Sequence, residues 1–202
     1  MIRLWALVLV AVLASPEPVL AHAPIKGIGA FYNGLLHPLL VPAHSLVIVG
    51  LGLLIGRHAP GPESRLGWPA FVVAVCGALV VGMWSGAALP DAVLIALALI
   101  TASLVMFDLS SPGPVGALLA AAAGIAVGLN SSADLAGQPA PGAWVTLAGI
   151  AVGTVLWLSY IGGLAARTGR PWHRIAVRIA ASWTMAISLI VLALWSVHGT
   201  TG

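Results

Sequence analysis

The chain predicts an all-α polytopic membrane protein, a bundle of six transmembrane helices behind a cleavable signal peptide. Three observations carry this. Hydrophobic residues make up 60% of the 202 residues and charged residues only 6%, whereas a soluble domain carries about a quarter charged residues. Six apolar runs recur, most of them near the ~20 residues that a bilayer crossing needs. The breaks between them hold the Pro, Gly and Ser expected of turns. The same composition excludes other classes. The net charge of +3 comes from few residues, with no basic patch interleaved with aromatics, so the expected partner is the lipid bilayer and not nucleic acid. Cys76, the single cysteine, permits no disulfide or CxxC metal motif within the chain and reads as a small buried hydrophobe.

Residues 1–21 read as the signal peptide. Arg3 is the basic n-region, Leu4 to Ala14 the apolar core, and Val19-Leu20-Ala21 a small-residue cleavage site. The mature chain, residues 22–202, then forms one six-helix domain beginning at His22. A free amine and an imidazole on one residue suit a soft divalent metal; a solvated tail is the other reading of His22.

The first span, Asn33–Gly56, organises the rest. Its first half carries His37, Pro38, Pro42 and His44, and its second half, Leu46–Ile55, is an uninterrupted apolar run. Ionisable groups within lipid depth are costly and usually face a bundle interior, where they mark a pathway. Each proline removes a backbone donor and disturbs the preceding turn, and broken helices expose carbonyls to substrate in many transporters. The first half therefore reads as a site and the second as an anchor. On an unbroken helix His37 and His44 would lie ~10 Å apart along the axis, as two successive stations. A break at Pro42 brings them closer. Each imidazole has a second reading, a neutral ring hydrogen-bonded to a helix carbonyl or to Ser85, Thr154 or Ser159.

Five further spans follow, at Trp68–Leu89, Ala92–Leu109, Pro114–Leu129, Ala143–Ala165 and Ile175–Val197. Arg57 and Arg65 lie after span one. Arg167, Arg170, Arg174 and Arg178 lie between spans five and six or just inside the sixth. With an exported N-terminus, the preference of Lys and Arg for the cytoplasmic side is met at both groups. Both termini are then on the outer side of the membrane. Gly116, Gly124 and Gly128 on span four, and Gly149 and Gly153 on span five, are spaced for close helix approach. Trp68, Trp84, Trp144, Trp172 and Trp195 fall near span ends as an interfacial belt, with Trp157 and Trp183 deeper. Asp108, Arg174 and Arg178 meet at the inner side, where an ion pair would be structural.

His22, His37 and His198 fall at the outer face under this topology, with His44 below them. Imidazole suits nickel, copper, zinc and related ions, and carbonyls freed by the prolines would supplement it. With no Asp or Glu nearby, binding is expected to be transient, with no permanent cofactor. No Ser/His/Asp set or paired carboxylates are visible, since Asp91, Asp108 and Asp134 fall at separate span ends, so no enzyme activity is expected. The small-residue ladders leave room for an alternative: a non-transport accessory subunit packed against a membrane partner or a second copy.

His22 after a signal peptide, then Gly34-Leu35-Leu36-His37-Pro38-Leu39-Leu40 and His44 seven residues after His37, resembles the HupE/UreJ family. The resemblance implies a six-span bacterial permease associated with nickel or cobalt uptake. The family pattern is His-Pro, two residues, Gly, one residue, Asp-His. His37, Pro38 and His44 match it, while Val41 stands at the glycine position and Ala43 at the aspartate position. The family's fourth-span histidine cluster is replaced by Ala122-Ala123-Gly124.

Overall fold

The computed structural model describes residues 25, 27–133, 135–136, 140–167 and 171–199, with side-chain surroundings for all of these except 140, 171 and 197–199. Every regular element among them is a helix. They run α1 (Gly29–Leu40), α2 (Pro42–Arg57), α3 (Pro62–Ser85), α4 (Asp91–Met106), α5 (Gly113–Ala133), α6 (Ala140–Ala165) and α7 (Pro171–Gly199). The signal peptide, His22, Lys26 and Asp134 lie outside the described residues.

Four helices, α3, α5, α6 and α7, are long and apolar enough to cross a membrane. The expected first span is two helices, α1 and α2, bent by 72° at Val41; together they pass the same test. The remaining apolar helix, α4, has 16 residues, about 24 Å at ~1.5 Å per residue. The expected breaks are all present, with shifted edges. α3, the expected second span, starts at Pro62 and not Trp68, because its polar first turn is satisfied within the protein. Pro62 takes the first helical position, where no donor is needed, and the Ser64 hydroxyl accepts the Gly61 N–H at 3.0 Å. The helix stops at Ser85 and not Leu89. Gly86 takes the left-handed conformation (φ 63°), a conformation glycine adopts at little cost, and its N–H reaches the Gly82 carbonyl at 2.8 Å. Leu89 is then in the connection, its N–H donated to Asn130 Oδ1 at 2.7 Å.

α2 is the hub. It touches all six other helices, and every residue from Val47 to Arg57 except Val49 is buried. The apolar run expected as an anchor is thus the middle of the core, packed with Phe71, Val75, Leu94, Ala98, Val127, Ile150 and Leu158. Because α2 is surrounded, its apolar residues need no single hydrophobic stripe.

The glycine ladders are internal. A side chain at Gly124 would meet Phe71 O at 2.8 Å and Val75 N at 3.0 Å, and one at Gly128 would meet Ala78 Cβ at 2.6 Å. This is the α3–α5 seam. Gly149 and Gly153 lie against the backbone of Phe31 and Leu35 in α1. Both ladders are therefore occupied within the chain.

Three sequence readings change. Cys76 is exposed on the outer face of α3, because that turn of the helix carries its buried side on Val75 and Ala78–Leu79. Trp68 is packed against the core, where its ring covers Gly162, and so is not part of an exposed belt. Trp183, expected deep, is 69% exposed, while Trp157 is partly buried against the core. Trp84, Trp144, Trp172 and Trp195 are exposed near helix ends, as a belt requires.

Candidate functional site

Pro42 creates the site. Its missing N–H cannot bond the Pro38 carbonyl, and the residue before a proline is driven from helical to extended backbone. Val41 sits at φ −92°, ψ 111°, and α2 restarts with Pro42 in its first turn. Pro38, in contrast, lies inside α1 and causes no comparable break. The orphaned Pro38 carbonyl is met by Ser45, whose hydroxyl lies 3.0 Å from both Pro38 O and Leu39 O. Ser45 was not singled out in the sequence, although its position three residues after Pro42 makes it the natural donor. Ser45 thus occupies one acceptor position of the Pro38 carbonyl, which has two.

The break brings the two imidazoles together. His37 and His44 have ring centroids 5.3 Å apart, tilted by 52°. A straight helix would have kept them ~10 Å apart along its axis. His44 is 1% exposed, so it faces the bundle and not the surrounding lipid. The Nε2 of His37 and both ring nitrogens of His44 are shielded from solvent. Ala43, at the position of the family carboxylate, is buried beside them. Among the described residues no three His, Cys, Asp or Glu side chains are grouped to hold a metal. The arrangement is a two-imidazole one without a local negative charge. Thr154 and Ser159 hydrogen-bond to carbonyls of their own helix, Ile150 O and Val155 O, at 2.7 Å each. Of the other two expected ligands, His22 lies outside the described residues, and His198 falls in α7 with its side chain undescribed.

A second polar cluster closes the opposite end of α2, where the connections 58–61 and 107–112 meet the first turn of α7. Arg57 is 8% exposed and Glu63 4%. Arg57 donates to the carbonyls of Leu104, in the last turn of α4, and Leu109, in the connection that follows; Leu104 O also accepts from Leu109 N at 2.9 Å. Its guanidinium lies 3.8 Å from Glu63, and Glu63 Oε1 also accepts from Ser111 N at 3.0 Å and Ser111 Oγ at 2.6 Å. Asp108 sits 3.8 Å from His58 and 3.7 Å from Arg174, with a left-handed backbone (φ 54°) that Asp tolerates better than most residues. The expected inner-side ion pair is therefore Arg174–Asp108, while Arg178 donates to Met106 O at 3.0 Å. His58 lies between the two carboxylates, 3.6 Å from Glu63 and 3.8 Å from Asp108. Glu63 itself was overlooked in the sequence, although a lone acid at a proline-started helix end is a recognisable signal.

Apolar helices around a buried imidazole pair on a broken span define an α-helical membrane protein with a polar site inside its bundle. Within that class the chain belongs to the HupE/UreJ family: it matches the family described as HupE / UreJ protein over residues 10–192. No curated protein and no solved structure matches it.

Proposed function

We propose that the chain is a six-span inner-membrane permease or facilitator for a divalent transition metal, nickel or cobalt first, moving it from periplasm to cytoplasm. Six spans follow if the bent α1–α2 pair crosses once and the short α4 crosses as well. Orientation rests on the Arg residues around 57–65 and 167–178 and on the exported N-terminus read at residues 1–21. Family membership supports the cargo class.

The observation that carries the proposal is the 5.3 Å separation of the His37 and His44 rings. With metal–nitrogen bonds of ~2.0–2.1 Å, two imidazoles on one ion have ring centres about 5 Å apart. The pair is thus spaced for a single ion, in one station and not two in series. Ala43 in place of a carboxylate leaves that ion's charge largely uncompensated. Such a site holds cargo weakly, and weak binding lets an ion leave as well as enter. His22 and His198 are assigned to capture at the outer face.

Metal accumulation by cells expressing the protein tests this. His37→Ala and His44→Ala should each lower nickel or cobalt uptake about tenfold or more, at least the loss seen when a ligand's supporting group is removed. Equal uptake in wild type and both variants rejects the proposal. An accessory-subunit role predicts the reverse, with His44→Leu harmless and a second membrane subunit co-purifying.

A further inference from the structure

Between α2, α4 and α7, at the end of the bundle away from the histidine pair, lies a cavity of about 120 Å³. At ~30 Å³ per molecule that is room for roughly four waters, or for one small polyatomic ion. Its polar lining is Arg57, His58, Asp108, Arg174 and Arg178, and its apolar edge includes Ile175. Three guanidiniums thus face one carboxylate. Even with Glu63 counted, 3.8 Å from Arg57, the cluster holds three permanent positive charges against two negative ones.

The three arginines are not equivalent. Arg57 is buried and committed to Leu104 O, Leu109 O and Glu63. Arg174 contacts only Asp108 among the described residues, at 3.7 Å, with its side chain 65% exposed. Among the described residues Arg178 donates through Nε alone, to Met106 O. A guanidinium has five donors in a planar fork, and this fork matches the oxygens of a phosphate group. Most donors on these two residues are therefore available beside the cavity. Ile175 and Ile179 are 60% and 54% exposed on the same helix, an apolar surface running from the cavity along the bundle.

We propose that this cavity binds a phosphate-bearing anion, gripped by Arg174 and Arg178 over the Arg57 floor. Two sources share that chemistry: the headgroup of an anionic phospholipid, with acyl chains along Ile175 and Ile179, and a free phosphate. Basic pockets between membrane helices are known places for the former.

Full-length protein in neutral detergent is titrated with phosphatidylglycerol, phosphatidylcholine and inorganic phosphate, reading melting temperature and retained ligand by native mass spectrometry. Phosphatidylglycerol retained over phosphatidylcholine, with a raised melting temperature, supports the lipid source. Inorganic phosphate acting alone supports the free anion. In Arg174→Gln/Arg178→Gln protein the effective ligand should bind about tenfold or more weakly, the loss of charge-assisted hydrogen bonds. Wild type that prefers neither anion over phosphatidylcholine overturns the proposal without need of a variant. A folded double variant that binds as well as wild type overturns it too.

Discussion

At residue scale the decisive fact is that buried charges here are matched by groups distant in sequence. Arg57 finds the carbonyls of Leu104 and Leu109, and Glu63 finds Ser111. Removing one member leaves the others desolvated without compensation, a cost of about 1–3 kcal/mol for a hydrogen-bonded polar group and more for a charge. Glu63→Gln keeps the shape but removes the charge facing Arg57 and His58. Its melting temperature in detergent should fall, while Glu63→Asp should fall less. An unchanged melting temperature in Glu63→Gln would show that the Arg57 carbonyl bonds suffice. None of these partnerships is legible in the sequence. Arg57 and Glu63 are separated from their partners by 47 to 52 residues, and local pattern carries no information on such pairings. The His37–His44 approach is different: seven residues and an intervening proline contain it, and the sequence reading stopped at two options because the direction of the break was undetermined.

At the scale of elements, seams between helices are set by glycine. Membrane helices gain little from hydrophobicity against one another, so close backbone approach matters more. On α5, a Cβ added at Gly128 would meet Ala78 Cβ at 2.6 Å, whereas one added at Gly77 on α3 would have nothing within 4 Å. Gly128→Leu should therefore destabilise by about 1–3 kcal/mol through overpacking. Gly77→Ala should leave stability unchanged or slightly raised, as alanine favours helix over glycine. Unfolding in mixed micelles, measured on both, decides; equal effects would mean the α3–α5 seam yields. The ladders were legible from spacing alone. Which helix each one meets was not: Gly124 and Gly128 meet α3, and Gly149 and Gly153 meet α1. Helix edges were less legible, because Pro62 and Gly86 set them through local chemistry while the apolar runs end elsewhere.

For the whole molecule, the apolar runs and their breaks foretold the bundle, whereas the place of α2 as its hub, in contact with all six other helices, was not legible, since its apolar run differs little from the others. The orientation makes a direct prediction. In a Cys76→Ser background, a cysteine at Ala88 should react in intact spheroplasts with a membrane-impermeant maleimide, and one at Ser110 should react only after lysis. Labelling of Ser110→Cys in intact cells would invert the topology and with it the direction of transport. Cys76 itself, exposed in the middle of α3, should resist the same reagent, since a position there faces acyl chains.

The brevity of α4 reaches beyond the protein. In the proposed six-span arrangement this 16-residue helix covers about 24 Å, less than the ~30 Å of a typical hydrocarbon core, and its exposed Val93 and Ile100 would meet lipid at that shortfall. The bilayer would then dimple at this flank or the helix would draw polar groups inward, at fractions of a kcal/mol per Å. Flux after reconstitution should accordingly peak in phospholipids of shorter acyl chains and decline as chains lengthen. A profile flat across chain length would mean that neighbouring helices shield α4 from the mismatch.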